Sequence, residues 1–331
     1  MSGATKKMDG KVVALCAGVG GAKLALGLAH VVAPDALTLI VNTGDDFEHL
    51  GLHISPDIDT VLYTLAGLND RERGWGRADE TWNFMAALRE VGSETWFQLG
   101  DRDLAVHIER TRRLKEGQSL SAITAGLATS LGISARILPM SDAPVRTIVE
   151  TNEGDLPFQR YFVERRCEPV VRAVRFECTD DVRSAAGVLA ALNDPDLSAI
   201  VICPSNPYLS IDPILAVPDI RRALEGASVP IVAVSPIIGG QAVKGPAAKI
   251  MRELGIEPGT RAIAAHYAGI MDGLVIDEND RDDAATLGLP VLTTQTMMHT
   301  LSDRTRLAEE TLDFAATLKQ DAYAPLESAA L

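Results

Sequence analysis

Four aspartates lie close together in the sequence, shortly after an apolar run that is typical of a buried strand. The run is Thr38–Val41, and the aspartates that follow it are Asp45, Asp46, Asp57 and Asp59. Carboxylate oxygens are the ligands that hard divalent cations such as Mg²⁺ prefer. We therefore predict that these aspartates hold a divalent cation. Asp45 and Asp59 are the best candidates for metal ligands and catalytic residues, and Asp46 and Asp57 are substrate-binding neighbours that could orient or replace them.

A glycine-rich turn precedes the aspartates and follows the first apolar run, Val12–Ala17. Its glycines are Gly18, Gly20 and Gly21, and the segment Lys23–His30 after it has helical spacing. A strand, a glycine turn and a helix in this order let backbone N–H groups and the positive helix end approach a diphosphate. The three glycines are candidate phosphate-binding residues. The alternative is that they only permit close packing of the helix on the strand.

The glycine turn matches neither of the two common phosphate-binding fingerprints. The dinucleotide pattern would need glycine where Lys23 stands, and the P-loop pattern would need Gly-Lys-Ser/Thr, whereas the chain reads Ala22-Lys23-Leu24. NAD and ATP are therefore not the expected ligands. An NAD-dependent oxidoreductase is disfavoured further because the sequence has no convincing acidic residue to bind the ribose.

Composition sets the class of protein and disfavours several partners. The chain has 331 residues, of which 47% are hydrophobic and 23% charged, so it can form a large globular core in one or two domains. The formal net charge of −14 argues against nucleic acid or an anionic membrane as partner. No run has the length of a transmembrane helix and the start lacks a signal peptide's apolar region, so we expect a cytoplasmic protein. The cysteines form no C-x-x-C pair, which favours reduced structural thiols.

The elements that must position these residues alternate between strand and helix, which predicts an α/β fold with a doubly wound, mainly parallel, Rossmann-like sheet. Residues 11–59 and 188–320 would form the nucleotide-binding core. Residues 60–134 read mainly helical and predict a helical cap. Residues 135–187 predict a β-rich insertion with a hairpin at Asn152-Glu-Gly-Asp155. Later core strands are expected at Ala199–Cys203, Ile231–Val234, Gly273–Ile276 and Pro290–Leu292.

The loops that follow the predicted strands carry further candidate binding residues, because ligands of such sheets bind at the carboxyl ends of the strands. These loops offer hydroxyls, an amide, small residues and a cation that suit nucleotide phosphates and base edges. The candidate substrate-binding residues are Ser205, Asn206, Ser235, Gly239 and Lys244. Pro204-Ser-Asn-Pro207 alone is more typical of a plain turn. The convergence of several such loops on one sheet edge favours a binding site.

A set of motifs runs in order along the chain from about Lys11 to Ala316. They are Gly18-Val-Gly-Gly-Ala-Lys23, Asn42-Thr-Gly-Asp-Asp46, Ser55-Pro-Asp-Ile-Asp-Thr60, Gly74-Trp-Gly76, Leu99-Gly-Asp-Arg-Asp103, Pro139-Met-Ser-Asp142, Pro204-Ser-Asn-Pro207 and Ser235-Pro-Ile-Ile-Gly239. Together they resemble the 2-phospho-L-lactate transferase family (CofD/FbiA). The order of the motifs makes this resemblance more specific than any one of them.

The resemblance implies a transferase of coenzyme F(420) biosynthesis. Family members take a phospho-acid activated as a guanosine diphosphate adduct and pass the phospho-acyl group to the ribityl hydroxyl of the deazaflavin Fo, releasing GMP with Mg²⁺ as cofactor. The acid can be phospholactate, phosphoenolpyruvate or 3-phosphoglycerate, and no residue here decides which. The resemblance also implies a homodimer, and it places Asp59 and Gln98 near the deazaflavin. Some relatives carry a basic residue where this chain has Gln98.

Two side chains of the Leu99–Asp103 region have both a functional and a structural interpretation. Arg102 could bind a phosphate or the carboxylate of the phospho-acid with its planar guanidinium, or it could pair with Asp101 or Asp103. His107 lies four residues after Asp103 on the same helical face and could shuttle a proton. A structural histidine is the favoured interpretation.

Three tryptophans and one of the aspartates have similar alternatives. Trp75, Trp82 and Trp96 fall in the predicted cap, where a ring could stack on the tricyclic deazaflavin, although core packing is expected for at least two of them. Asp57 could cap the helix that begins near Thr60 rather than bind a ligand.

The alternative function is that of a nucleotide-binding regulator. The gluconeogenesis-factor (YvcK-like) branch resembles this chain in fold and glycine-rich start, and that resemblance would imply a regulatory module that binds nucleotide sugars. The Gly-Asp-Arg-Asp103 and Trp75-Gly76 segments fit the transferase branch better. Release of GMP in the presence of Fo would separate the two functions.

Overall fold

A seven-stranded parallel sheet forms the centre of the computed structural model, which describes residues 10–243 and 245–322, without the side chains of 320–322. The sheet order is β14-β13-β10-β9-β1-β2-β5, and every neighbouring pair is parallel. The strands are β1 (Lys11–Cys16), β2 (Leu37–Val41), β3 (Phe47–His49), β4 (Leu52–Ile54), β5 (Arg136–Pro139), β6 (Arg146–Thr151), β7 (Gly154–Pro157), β8 (Val171–Glu177), β9 (Leu197–Ile202), β10 (Ile231–Val234), β11 (Ile237–Ile238), β12 (Gln241–Ala242), β13 (Gly273–Asp277) and β14 (Val291–Thr294).

Helices cover both faces of this sheet, as they must where a parallel sheet is buried on both sides. The α-helices are α1 (Gly18–Val31), α2 (Pro56–Leu65), α3 (Asn83–Glu90), α4 (Asp101–Lys115), α5 (Leu120–Ser130), α6 (Val188–Leu192), α7 (Asp212–Leu215), α8 (Pro218–Glu225), α9 (Ala247–Glu253), α10 (Thr260–His266) and α11 (Leu301–Ala322). Short π or 3₁₀ segments are Arg160–Glu164, Pro207–Ile211 and Glu278–Thr286. The prediction of a doubly wound, mainly parallel α/β fold is confirmed.

The chain order fixes where a ligand can bind. From β1 the chain proceeds outward to β2 and β5, and it later returns to β9 on the other side of β1. The two halves therefore diverge between β1 and β9, and the loops that follow these strands separate and leave a crevice. Strands β1, β9 and β10 are almost entirely buried, so they form a rigid base for those loops.

The region predicted as a β-rich insertion contains the predicted hairpin. Strands β6 and β7 are antiparallel and turn at Asn152 and Glu153, and β8 pairs with the other edge of β6. Strand β5, which we expected inside the insertion, instead pairs with β2 at the edge of the central sheet. Its Ile137 and Leu138 are buried, which explains why four residues suffice to hold it there. The division into core, cap and insertion remains a prediction.

Two local elements differ from the sequence-based expectation. Helix α1 begins at Gly18, so the glycines form its first turn rather than a separate loop. The hairpin of β3 and β4 was not predicted, because two strands of three residues are too short to show a period. Its turn holds Leu50 and Gly51 at positive φ, the conformation that matches strand twist in tight hairpins.

Three groups of apolar side chains stabilise these layers. One lies between the sheet and the helices α6 to α10 together with the β-rich insertion, and another lies under α1, α2 and α11. A third and smaller cluster, of Ile54, Met85, Leu99 and Leu104, joins the β3–β4 hairpin to the cap helices. No helix within residues 10–243 and 245–322 is both long and apolar enough to cross a bilayer.

Helices α1 and α11 pack so closely that Gly27 has no room for a side chain. A Cβ atom there would overlap the backbone carbonyl of Arg304 and contact the Cβ of Ala308 at 3.3 Å. We predict that Gly27→Ala lowers the free energy of unfolding by about 2 kcal/mol, since overpacking must push the two helices apart. Gly259→Ala is the control, because its Cβ would meet nothing within 4 Å and its φ of 172° suits any residue. Equal urea stability of both variants would contradict the prediction.

Candidate functional site

A cleft of about 630 Å³ lies at the carboxyl edge of the central sheet. Its walls come from the loops after β1, β2, β9, β10 and β14, together with α2, α4 and the β-rich insertion. The predicted site residues that line it are Gly18, Gly20, Asp45, Asp57, Asp59, Gln98, Ser205, Asn206 and Ser235. Among the described residues, Gly21, Asp46, Arg102 and Gly239 do not line the cleft. Lys244 lies outside the described residues.

The first turn of α1 faces the cleft without a capping side chain of its own, because Ala17 precedes Gly18. The N–H of Gly18 donates to Asp57 Oδ1 at 2.8 Å. Helix starts of this kind attract anions through their N–H groups and their dipole. The arrangement is therefore suited to a phosphate, as the glycine pattern predicted.

Gly20 and Gly21 owe their identity to packing. A Cβ at Gly20 would overlap the carbonyl oxygen of Pro204, and one at Gly21 would lie 2.8 Å from Ser205 Oγ and 3.2 Å from Cys16 Sγ. The close-packing alternative thus holds for both residues. A bulky substitution at Gly20 would disturb the fold as well as any ligand, so such a variant cannot test binding alone.

Asp57 connects the start of α1 to the loop after β2. Its Oδ2 accepts a hydrogen bond of 2.9 Å from Asn42 Nδ2, while its Oδ1 accepts from Gly18. It lies in the first turn of α2 but does not cap that helix; its carboxylate serves α1 instead. Burial raises the pKa of Asp57 to about 6, although both hydrogen bonds oppose the shift.

Asp45 is the least compensated acid of the cleft. Its side chain is buried, with 7% of the residue exposed, and its Oδ1 has no hydrogen-bond partner within the described part of the chain. Burial, followed by the charge of Asp57, raises the pKa of Asp45 well above its ordinary value. A buried carboxylate oxygen without a partner is costly unless a ligand or cation meets it.

Asp46, predicted as a substrate-binding residue, instead holds the β3–β4 hairpin. Its Oδ2 accepts from Ser55 Oγ at 2.7 Å and lies 3.0 Å from His53 Nε2. These contacts explain why the second acid of the Asp45-Asp46 pair turns away from the cleft.

Asp59 lies in a buried network that the helical cap supplies. The guanidinium of Arg110 on α4 binds both of its oxygens, Nη1 to Oδ2 at 3.0 Å and Nη2 to Oδ1. His107 Nδ1 lies 3.6 Å from Asp59 Oδ2, and His107 Nε2 lies 3.3 Å from Asp103 Oδ2. Tyr63 donates its hydroxyl hydrogen to Asp103 Oδ1. Burial raises the pKa of Asp59, and the Arg110 charge opposes that shift.

A cation could be held in two places, by the group of Asp59, Asp103 and His107 or by Asp45. Possible ligand atoms of Asp59, Asp103 and His107 lie within 4.8 Å of one another. Asp45, by contrast, has an oxygen with no hydrogen-bond partner in the described part of the chain, whereas Asp59 already shares its charge with Arg110. Asp45 is therefore the stronger candidate for the anionic ligand, and Asp59 could add a lone pair.

The Leu99–Asp103 motif has mainly a structural role. Asp101 accepts hydrogen bonds from the backbone and side chain of Asn83 at the start of α3, and Glu80 accepts from the backbone N–H groups of Arg102 and Asp103. Arg102 itself is exposed. The hydrogen bond from its backbone N–H to Glu80 holds the chain so that the Arg102 side chain does not line the cleft. Its alternative contact, an ion pair with Asp101 or Asp103, is not present among the described residues, and its binding of a phosphate or of the phospho-acid carboxylate stays a prediction. Of this motif only Asp103 lines the cleft, and its Oδ2 lies 3.3 Å from Nε2 of His107, which lines the cleft as well.

The predicted residues of the later loops differ in what they offer a ligand. Asn206 Oδ1 accepts from the N–H groups of Tyr208 and Leu209, while its buried Nδ2 has no partner in the described structure. Ser235 Oγ donates to the carbonyl of Ile237 at 3.0 Å. Ser205 Oγ donates to the carbonyl of Ala17 at 2.8 Å. Asn206 thus offers the clearest donor of these loops.

Two more predicted residues are tied to their own surroundings. Gly239, at the turn between β11 and β12, donates its N–H to the carboxylate of Asp280 at 3.0 Å. That bond points its backbone away from the cleft. Gln98 Nε2 donates to the carbonyl of Thr95 at 2.7 Å, and Gln98 also lines the cleft.

One of the three tryptophans lies where it could meet a ligand. Trp75 lines the cleft and is 47% exposed, and the Arg73 guanidinium lies 5.3 Å from its ring centroid and 4.9 Å from that of Trp82. Trp82 packs on the cap cluster of Ile54, Met85, Leu99 and Leu104, and Trp96 packs edge-on against Phe97 at 5.6 Å. Packing therefore accounts for two of the rings, as expected.

Arg110 is the main residue of the network that the sequence analysis missed. One face of α4 carries Asp103, His107 and Arg110 at helical spacing. A cation at a position on the buried face of a helix was the sequence feature that could have indicated this ion pair. The apolar wall formed by Phe158, Phe162 and Val163 was missed as well, because no motif marks it.

Comparison with known proteins gives a consistent result. The family model described as 2-phospho-L-lactate transferase CofD matches residues 12–314. A phosphoenolpyruvate transferase of Kitasatospora aureofaciens is 42% identical over 284 residues, which cover 84% of this chain and 88% of its own. A 2-phospho-L-lactate transferase of Methanosarcina mazei is 40% identical over 295 residues, covering 88% and 96%. A solved UPF0052-family structure from Bacillus halodurans has a TM-score of 0.60 at 16% identity and covers 92% of this chain and 99% of its own, which shows a shared fold.

The raised pKa of Asp57 predicts a pH dependence of stability. The folded-state pKa of about 6 lies above the ordinary value of 3.8, so the stability that protonation contributes is full at low pH and is lost as the pH rises through 6. In buffer with chelator, the free energy of unfolding of the wild type minus that of Asp57→Asn should increase by about 1 kcal/mol between pH 7 and pH 5. Asp313→Asn, on the exposed face of α11, controls for loss of a surface charge. A difference that stays constant or shrinks over this range, in urea titrations, would reject the prediction.

Proposed function

The chain belongs to the 2-phospho-L-lactate transferase CofD family and is a transferase, and we propose on this basis that it moves a phospho-acid group from a guanosine-diphosphate-linked donor to the ribityl hydroxyl of the deazaflavin Fo, releasing GMP. The family assignment supports phosphotransfer in coenzyme F(420) biosynthesis. The donor, the acceptor and the released nucleotide are the proposed parts.

The proposal rests on the presence of a positive helix end and a buried carboxylate in the same cleft. The N-terminus of α1, with its partial positive charge, lines the same cleft as the buried carboxylate of Asp45, one oxygen of which has no partner among the residues that the structure describes. A diphosphate alone would suit the helix and be repelled by the acid. A diphosphate with a divalent cation satisfies both, which favours a nucleotide diphosphate that reacts with help from a metal.

The residues of the cleft fit Mg²⁺. The unpartnered oxygen of Asp45 is a hard ligand, and Asp59 keeps lone pairs outside its contact with Arg110. Asp45 and Asp59 would therefore hold the ion. When bound, Mg²⁺ would neutralise charge on the diphosphate as the transfer proceeds.

The nucleotide end of the proposed site comprises the first turn of α1 and the loop after β9. Phosphate oxygens would accept from N–H groups of the first turn, and the Nδ2 group of Asn206 would donate to the donor substrate. Lys23, whose Nζ donates to the carbonyl of Met298 at 3.0 Å, adds a positive charge to the same wall.

The acceptor end of the proposed site lies toward the helical cap. Trp75 and Phe97 present ring surface to the cleft, and Gln98 lies beside them in the sequence. A flat tricyclic acceptor would stack on Trp75, since aromatic faces favour such contacts. The acceptor hydroxyl would then lie near Asp59, in agreement with the role that the family resemblance gives this residue.

The proposed reaction is a displacement at phosphorus. The acceptor oxygen forms a bond to the phosphorus that carries the acid, the bond from that phosphorus to the bridging oxygen breaks, and GMP leaves with that oxygen. The acceptor hydroxyl gives up its proton, for which the carboxylate of Asp59 is the proposed first acceptor. The protein contributes position and charge rather than a covalent intermediate, as is usual for phosphoryl transfer.

The identity of the phospho-acid is open, since one relative is named a phosphoenolpyruvate transferase and another a 2-phospho-L-lactate transferase. The decisive experiment incubates the chain with Fo, Mg²⁺ and each guanylylated acid in turn, and measures product mass and GMP. We expect one donor to give a phospho-acid adduct of Fo and one GMP per product. Nucleotide binding without turnover of any donor would support the YvcK-like regulator instead. A homodimer remains a prediction.

Loss of the Asp45 charge should lower the activity of the protein without lowering its stability. We predict that Asp45→Asn lowers the turnover number by about 100-fold and weakens the apparent affinity for Mg²⁺, because a preorganised anionic ligand is lost. In chelator its melting temperature should equal or exceed that of the wild type, since the substitution removes an uncompensated buried charge. Glu48→Gln, exposed on the neighbouring β3 strand, is the control. Wild-type turnover in Asp45→Asn, or full wild-type activity after thorough chelation, would exclude the metal assignment.

Asn206→Asp tests the donor of the β9 loop with almost no change of shape. The variant keeps an oxygen for the N–H groups of Tyr208 and Leu209 but replaces the Nδ2 donor by an anionic oxygen. We predict that calorimetry will show GDP binding weakened by at least about 10-fold. Asn193→Asp, at an exposed helix end, controls for the added charge. Unchanged GDP affinity would return this loop to a structural role.

A further inference from the structure

Arg110 is the largest side chain of the protein that is completely buried, with 0% exposed, among the residues described. It lies on α4 of the helical cap, while its ion-pair partner Asp59 lies 51 residues earlier, on α2. Burial alone would lower the pKa of Arg110, and the Asp59 carboxylate outweighs it so that the pKa is raised. The guanidinium is therefore held in its charged form inside the protein.

A buried ion pair of this kind is a weak source of stability. Desolvation of the two ions offsets their attraction, and well-packed apolar residues often stabilise a core as well or better. What the pair does provide is geometry. The planar fork of arginine binds both carboxylate oxygens at once, which fixes the plane of the carboxylate.

The surroundings of Arg110 hold this geometry from several sides. Arginine can only donate hydrogen bonds, so His107 Nδ1, 3.4 Å from Nη1, faces it as an acceptor and the ring hydrogen lies on Nε2. That Nε2 lies 3.3 Å from Asp103 Oδ2. Asp103 Oδ1 in turn accepts a hydrogen bond from the hydroxyl of Tyr63 on α2. The next residue, Thr111, ties α4 to the β3–β4 hairpin by accepting the N–H of His53 at 2.8 Å.

We propose that Arg110 is a positioning residue of the transfer reaction, which fixes the Asp59 carboxylate toward the acceptor hydroxyl. This inference rests on the proposed function. Arg110 does not line the cleft, whereas Asp59 does, so Arg110 acts through Asp59. By taking up much of the Asp59 charge, it also leaves Asp45 as the main anion for the cation. Asp59 then serves chiefly as an oriented acceptor for the hydroxyl proton.

The first test is Arg110→Lys, which keeps the charge and loses the fork. We expect the turnover number with Fo and the guanylylated donor to fall about 100-fold, as for small misplacements of a reacting group. The KM for the donor should change less than 3-fold, because the nucleotide loops belong to other elements. Arg112→Lys, on the exposed face of the same helix, is the control and should keep the wild-type turnover number. An Arg110→Lys variant with the wild-type turnover number would overturn the inference.

A double-substitution cycle separates positioning from general damage. If Arg110 acts only through Asp59, then Asp59→Asn combined with Arg110→Lys should be no slower than Asp59→Asn alone, within about 3-fold. Independent effects would multiply and would overturn the inference. Melting curves accompany each variant, and if Arg110→Lys does not fold, Arg110→Gln paired with Asp59→Asn replaces it as a neutral pair. If the wild type itself releases no GMP, the proposed function fails, and this outcome is distinct from failure of the role of Arg110.

Discussion

The burial of acidic side chains at one edge of the sheet is the constraint on which the rest of this structure depends. Asp45, Asp46, Asp57 and Asp59 are each less than 10% exposed. Charges cannot leave water without compensation. Much of the local architecture supplies it: the start of α1 and Asn42 for Asp57, Ser55 and His53 for Asp46, and Arg110 for Asp59. Among the residues described, Asp45 Oδ1 and Asp46 Oδ1 have no hydrogen-bond partner, but of these two acids only Asp45 lines the cleft, and this uneven compensation gives the cleft its chemical character.

The topology of the sheet explains why these acids can share a cleft with the N-terminus of α1. Because the chain leaves β1 in one direction and returns on its other side at β9, the loops diverge there and expose the first turn of α1. Gly20 and Gly21 let that turn approach the β9 loop and the end of β1 at distances that a side chain would prevent. Close packing and ligand access are therefore two results of the same small residues, and the functional and structural interpretations of the glycines are compatible.

The sequence predicted the sheet well because buried parallel strands are continuous apolar runs. It also placed Asp45, Asp57, Asp59 and Asn206 in one region, since they follow strands whose carboxyl ends must meet. The sequence could not show which side chains contact one another. The contact of Arg110 with Asp59 spans 51 residues and depends on how α4 packs, and the rotation of Asp46 toward Ser55 depends on a hairpin of two three-residue strands. The orientation of Arg102 could not be predicted for a similar reason: a motif gives the order of residues, whereas the hydrogen bonds of Glu80 to the backbone of Arg102 and Asp103 set the local chain direction.

The fold alone does not determine the function of this chain. A structure that is only 16% identical shares it, and related folds serve more than one activity. Under the proposed function, the feature that turns a nucleotide-binding sheet into a transferase lies in the cap, which supplies Trp75 for the acceptor and Asp103, His107 and Arg110 around Asp59. Under the same proposal the core would bind the diphosphate without these residues, but among the described residues it has no other group that orients Asp59. A protein of this fold that lacked an arginine at the position of Arg110 would therefore be expected to bind the nucleotide and transfer poorly.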